Sequence, residues 1–249
     1  SLEPINCYYP QLDYYHNAIH VSHDYFRWLH ERDWLWYMMW GRLTYDPETP
    51  NEVFIRECKK RFGFDAGADV FESLKIASRI VPLIYSAHCM SPDHRGMAPE
   101  QETGGDLNNF IEERPFDTSV MQSVKEYVAM RMTGRSDGKL TTPEICRMLR
   151  GYADESLAVM QRALQAADKP SKELDCIRMD IEALALLARY YADKFESAVA
   201  LHMMRQSGHY EYYEPAREMT QRAHEHWRKL AELTDIHFHP FLEKLRLHT

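Results

Sequence analysis

Between Ile177 and His202 the apolar or part-apolar residues Ile177, Ile181, Leu184, Ala188, Tyr191, Phe195, Ala198 and His202 are spaced alternately four and three apart. An α-helix turns once every ~3.6 residues, so this spacing lines one face of a single helix. Sustained over about 30 residues, it implies a long helix seated in a bundle or a coiled-coil-like seam. The helix is expected over about 171–207, with Ser171 as its N-cap after the break at Asp168, Lys169 and Pro170. A stripe of that length must be covered, and the rest of the chain has to supply helices to cover it.

The remaining sequence reads the same way. A first helix is expected over 22–40 with Ser22 as N-cap, followed by a turn at Asp46–Pro50. Thr49, Pro50 and Glu52 form the pattern of a capping box with Pro at the first helical position, and Gly63 is a natural C-terminal stop. Asp65 is positioned to cap a third helix carrying Val70, Leu74, Ala77, Val81 and Ile84 on one stripe. Pro82 should kink that helix, because it leaves the Ser78 carbonyl without its N–H partner. From 90 to 115 the periodicity stops amid Pro92, Gly96, Pro99, Gly104, Gly105 and Pro115, which predicts a long irregular loop. A fourth helix is expected from Asp117, a turn at Gly134–Gly138, and a fifth helix from Thr142, Pro143 and Glu144 to about Ala167. A last long helix over 214–235 carries Met219, Ala223, Trp227 and Leu230 on one face, and Pro240 opens a short terminal helix. The expected fold is therefore all-α, a bundle of about seven helices in one domain over 1–249. A subdivision into aromatic-rich helices at 1–90 and a bundle at 116–249 is the alternative.

Composition narrows the functional classes. Of 249 residues 45% are hydrophobic and 27% charged, the balance of a globular protein. The net charge of −8, with no basic stripe, argues against nucleic acid as a partner. The richest apolar run, Trp34 to Trp40, is far short of the ~20 residues that cross a bilayer, so no membrane partner is expected. Cys7, Cys58, Cys89, Cys146 and Cys176 are scattered, form no CxxC pair, and read as reduced, buried, small hydrophobes. No cofactor motif occurs. The chain opens on Ser1, Leu2, Glu3 and Pro4 without a signal-peptide pattern, which suggests a mature protein or a piece of a longer one.

No complete catalytic motif stands out: no HExxH, no glycine-rich phosphate cradle, no ordered Ser/His/Asp set. His16, His20 and His23 share one face if the first helix begins early, and neutral imidazoles at that spacing can ligate zinc. Tyr14 and Tyr15 argue against a helix there, and a surface or interface stripe is the preferred reading over a metal site. His224 and His226 sit two apart and should face different directions on a helix. The aromatic run Trp28, Trp34, Trp36, Tyr37, Trp40 and Tyr45 must spread around its helix. Such a helix is normally buried, but part of it can line a pocket, where Trp faces stack on sugars and Arg42 bonds hydroxyls. Candidate carbohydrate contacts are Trp34, Trp36, Trp40 and Arg42, together with His88, Asp93 and His94 from the loop. The paired acids Glu112 with Glu113, and Glu211 with Glu214, would support glycoside hydrolysis only at the right separation in space.

The passage Trp34, Leu35, Trp36, Tyr37, Met38, Met39, Trp40, Gly41, Arg42, Leu43, Thr44, Tyr45, Asp46, Pro47, followed by Phe54 to Gly63, resembles a segment of large bacterial glycoside hydrolases of the α-glucuronidase-like type. There a Trp-Gly-Arg-Leu and Asp-Pro passage follows the catalytic barrel and leads into a helical C-terminal region. The resemblance covers about 30 residues. It implies a non-catalytic helical companion domain that buttresses the catalytic barrel of the same polypeptide or lines its substrate cleft. It also implies carbohydrate as a partner and a periplasmic or extracellular location. Two rival readings are a stand-alone helical interaction protein, dimerising through the long helix, and a metal-dependent helical protein using His16, His20 and His23.

Overall fold

The computed structural model describes residues 29–88, 106–167 and 171–237. Among these residues the chain is all-α. The helices are α1 (Leu29–Arg32), α2 (Trp34–Tyr45), α3 (Asn51–Phe62), α4 (Ala66–Ala77), α5 (Ile80–Ala87), α6 (Leu107–Glu112), α7 (Val124–Thr133), α8 (Thr142–Ala166), α9 (Lys172–Ser207) and α10 (Tyr213–His237), with a 3-10 turn at Tyr210–Tyr212 before α10. Met121 and Leu140 form an isolated bridge. The candidate terminal helix at Pro240 lies outside the described residues.

Several boundaries differ from the sequence expectation, each for a local reason. The first helix is interrupted at Asp33, whose φ of −98° and ψ of 25° leave the helical well. Its carboxylate accepts from Arg32 at 3.1 Å while its carbonyl accepts the Tyr37 amide at 3.1 Å and starts α2. The capping box at Thr49 does not form. Its hydroxyl donates instead to the Asp46 carbonyl at 2.7 Å, and Pro50 stands as the N-cap of α3. Pro82 breaks the expected third helix rather than kinking it: α4 ends at Ala77 and α5 begins at Ile80, before the proline. Pro82 falls at the third position of α5, where the missing N–H would have no intrahelical partner anyway. The end of the expected loop is ordered as α6, because Asp106 accepts from the Asn108 and Asn109 amides at 2.7 and 3.0 Å. Asp117 does not start a helix. It accepts from the Ser119 amide at 2.8 Å in a local turn, and α7 begins at Val124 under a capping box of Ser123 and Glu126.

Other signals hold. Gly63 ends α3 with φ at 102°, and Gly134 ends α7 in the left-handed conformation. α8 begins at Thr142 as expected, although the residue that bonds Glu144, at 2.6 Å, is Thr141 before it, and Ser171 accepts from the Leu174 amide at 3.3 Å to cap α9.

The chain falls into two compact units, neither of them contiguous in sequence. One comprises Ser1–Glu72, Val159–Ile181 and Ala231–Thr249; the other comprises Ser73–Ala158 and Glu182–Leu230. In the first, Phe54, Cys58 and Phe62 of α3 are buried, as are Ala66, Val70 and Phe71 of α4. The Phe54 and Phe71 rings stack at 6.1 Å. Gly67 allows α4 to approach α3 backbone to backbone, for a Cβ there would stand 2.3 Å from the Lys59 nitrogen. In the second unit α9 is the central element. Ala185, Leu186, Ala188, Tyr191, Ala192, Asp193, Lys194, Phe195, Ser197 and Ala198 are all buried, which closes most of the helix circumference. Hydroxyls fasten its neighbours. Ser197 donates to the Ala216 carbonyl of α10 at 2.7 Å, and Ser73 of α4 donates to the Ser156 carbonyl of α8 at 2.8 Å.

Candidate functional site

In the second unit a cleft of about 570 Å³ is lined by charged side chains from three helices. Helical spacing puts each set on one face. Arg150 and Asp154 stand four apart on α8; Arg189, Asp193 and Glu196 stand four and three apart on α9; Arg222 and His226 stand four apart on α10. At the centre is Asp193, whose side chain is 3% exposed. One of its oxygens accepts from Arg150 at 2.6 Å and from Arg222 at 2.8 Å, and the other lies 3.4 Å from His226 Nε2. Glu196 takes Arg150 in a two-pronged grip at 2.5 and 2.7 Å. Arg189 donates to Asp154 at 2.6 Å. A charge buried as deeply as Asp193 is tolerable only when paired and hydrogen-bonded, and here two guanidinium groups and an imidazole surround it.

Electrostatics set the states of the groups around it. The two-pronged bond to Glu196 and the bond to Asp193 hold the Arg150 guanidinium firmly protonated, above its ordinary value. Burial pushes the His226 imidazole below its ordinary value. Asp193 opposes the shift, and Arg189, Lys229 and Arg222 reinforce it. His226 is therefore neutral at neutral pH. Asp193 and Glu196 are both held by guanidinium groups, so the cleft offers no unpaired carboxyl pair of the kind a glycosidase needs.

The first unit carries the aromatic candidates. Helix α2 is strongly apolar yet has no buried residue. Trp34 is half-buried, its Nε1 donating to Glu173 at 2.8 Å and its ring lying under the Arg61 guanidinium at 4.1 Å. Trp36 and Trp40 are 51% and 39% exposed and stack on each other at 5.7 Å, and Arg42 is exposed. Of the expected contacts, the structure thus pairs Trp36 with Trp40 and engages Trp34 internally. Arg32 and Asp180 form a two-pronged pair at 2.7 Å in the same unit.

His88 belongs to the second unit and is 2% exposed, stacked on Phe110 at 4.0 Å with the edge of Phe195 at 5.9 Å. It is a core ring, buried against Phe110 of α6 rather than exposed as a sugar contact would be. Asp93 and His94, like the metal candidates His16, His20 and His23, lie outside the described residues. Among the described residues no cluster of His, Cys, Asp or Glu could hold a metal ion. His224 is exposed while His226 enters the cleft, as their two-residue spacing requires. Glu211 and Glu214 are exposed, Glu214 accepting from Arg217 at 3.0 Å. Cys58, Cys146 and Cys176 are buried and free, and burial pushes the Cys58 thiol up to about 12 and the Cys176 thiol up to about 11, so neither of these is poised as a nucleophile. Burial raises the Cys146 thiol in the same direction.

The Asp193 cluster was not among the candidates that the sequence offered. Asp193 falls off the apolar stripe of α9, where spacing predicts a solvated residue, so no sequence signal singled it out.

No protein-family model matches the chain, and no curated protein matches it by sequence. Among solved structures the chain is similar to a GH138 enzyme targeting pectin rhamnogalacturonan II, with a TM-score of 0.69 at 19% identity. The likeness covers 84% of this chain and 32% of that one, so the chain spans about a third of that enzyme's length. At this identity the likeness is one of fold, and it places the helical architecture beside a part of a glycoside hydrolase.

Proposed function

We propose that this chain is a helical, non-catalytic domain of a carbohydrate-active enzyme. In this reading it supports a catalytic barrel of the same polypeptide or contributes to the rim of its substrate cleft. The observation that carries the reading is the fold likeness to about a third of a glycoside hydrolase over most of this chain. Two further features support it. The short passage around Trp40, Gly41, Arg42 and Leu43 resembles the post-barrel segment of α-glucuronidase-like enzymes. Helix α2, apolar and without a buried residue, presents the Trp36–Trp40 stack as a face that another domain or a sugar can cover. A periplasmic or extracellular location follows from the same proposal.

The stand-alone interaction reading loses its main surface, because Ala188, Tyr191, Phe195 and Ala198 of the long helix are already buried within the chain.

The test is direct. The 249-residue chain, incubated with a panel of glycosides that includes rhamnogalacturonan II, is expected to release no sugar above background. Robust turnover of any member by this chain alone overturns the proposal.

A further inference from the structure

Of the three long helices α8, α9 and α10, the last is the least covered. Over 213–230, the part that belongs to the second unit, only Ala216 and Ala223 are buried. Each brings a single methyl group to the core, whereas α9 brings Tyr191 and Phe195. Burial of an apolar face is what holds most helices in place, so α10 lacks most of the usual attachment. Its remaining contacts with α9 are polar or half-exposed. The Ser197 hydroxyl donates to the Ala216 carbonyl at 2.7 Å and lies 2.7 Å from the Thr220 hydroxyl. Arg222, half-exposed, donates to Asp193 at 2.8 Å, and the half-exposed Trp227 ring lies 5.0 Å from that of Tyr190.

Three features let this stretch leave α9 as a unit. The link between the two helices passes through Gly208, whose φ of 71° lies in the left-handed region that glycine enters without strain. The ion pairs of Glu214 with Arg217, at 3.0 Å, and of Glu225 with Arg228, at 2.8 Å, are internal to α10 and travel with it. Asp193 also keeps Arg150 of α8, at 2.6 Å, when Arg222 departs, so the buried carboxylate is not stranded. The stretch forms one wall of the cleft, to which it contributes Met219, Arg222 and His226.

We propose that residues 213–230 are a detachable wall of the cleft, latched on Asp193 and Ser197 and pivoting at Gly208, which lifts from α9 while the rest of the second unit stays folded. Elements that open below global unfolding are drawn from those with few buried apolar contacts. Closed, the wall seals the cleft with its own ion pairs; open, it gives solvent access to Asp193 and to the Tyr190 side of α9. The device does not depend on the function proposed above, because every contact in it lies within the second unit.

Native-state thiol labelling of the full chain measures the lifting. Ala223→Cys and, in a second variant, Ala216→Cys each place a thiol in the seam between α9 and α10, while Cys146 of α8, buried and free in the same unit, serves as the clock for global unfolding. With a maleimide at neutral pH, both introduced thiols are expected to label about a hundredfold or more faster than Cys146, at rates within about threefold of each other. Arg222→Gln added to either variant should speed labelling in α10 by about tenfold, the loss of a charge-assisted hydrogen bond, and leave Cys146 unchanged. Amide exchange in the unsubstituted chain, expected to be faster over 213–230 than over 185–198, shows that the new cysteines do not themselves pry the seam open. The inference is overturned if neither introduced thiol outpaces Cys146, if only one of them does, if Arg222→Gln speeds Cys146 equally, or if the two stretches exchange alike.

Discussion

Asp193 lies off the apolar stripe that Tyr191 and Phe195 share on α9, where periodicity alone asks for a solvated residue, yet it is buried. Its burial is sustained by Arg150 and Arg222, so the cost of removing one of them is the cost of leaving a carboxylate underpaired. Arg150→Met is expected to lower unfolding stability by about 2 kcal/mol, read as a shift of the urea midpoint at unchanged slope. Two histidines make stability depend on pH. Burial lowers the folded-state value of His226, and burial with Lys125 and Arg205 lowers that of His202, both from an ordinary 6.5. The unfolded chain therefore binds protons more readily than the folded one. The stability these groups contribute is complete above about pH 7 and is lost as pH falls below about 6.5 and through the lowered folded values. The urea midpoint should drop between about pH 7 and about pH 5.5, and His226→Gln should flatten part of that slope. A midpoint that rises on acidification contradicts the assignment.

At the scale of the helix, the strongest terminal signals were legible and the weaker ones were misplaced by competition. Gly63 and Gly134 end their helices as expected because each satisfies backbone groups that have no other partner, whereas the cap of α8 is Thr141 with Glu144, one residue before the expected Thr142. Thr49 had an alternative, the Asp46 carbonyl, and took it. Ser123 with Glu126 is as clear a capping box as any in the chain, but it was hidden behind Asp117, which uses its carboxylate in a turn with Ser119 instead. Gly67 shows what no local rule reveals: its hydrogen is required by the backbone of α3, which is near in space and eight residues away in sequence. Gly67→Ala would set a Cβ 2.3 Å from the Lys59 nitrogen and 2.4 Å from its Cα, so the two helices must separate. A loss of about 2 kcal/mol is expected, measured by chemical denaturation, although alanine is the better helix former. A neutral or stabilising result would mean that the approach of α4 to α3 is not as close as described.

At the scale of the whole molecule, helix α2 is the element whose chemistry and environment disagree. A helix that displays Trp36 and Trp40 to solvent and buries none of its residues is under-covered, a conflict that the domain proposed above would resolve by seating on it. In a longer polypeptide carrying a catalytic barrel, amide exchange across 34–45 should slow by about tenfold or more relative to this chain, while exchange in buried α9 changes little. Equal exchange in both contexts would remove α2 as the covered face. The sequence by itself determined the helical class, the long α9 with its Ser171 cap and the glycine stops at Gly63 and Gly134, because periodicity and end-capping act within a few residues of each other along the chain. It left the charged cluster unassigned and placed His88 among the candidate carbohydrate contacts. Arg150, Asp193 and Arg222 each read alone as part of a solvated helix face, and His88 read as part of an exposed loop. Only the tertiary structure brought α8, α9 and α10 side by side around Asp193 and laid Phe110 over the His88 ring. Those contacts join residues 22 to 43 positions apart, and their energy depends on the packing that excludes water, which no local pattern encodes.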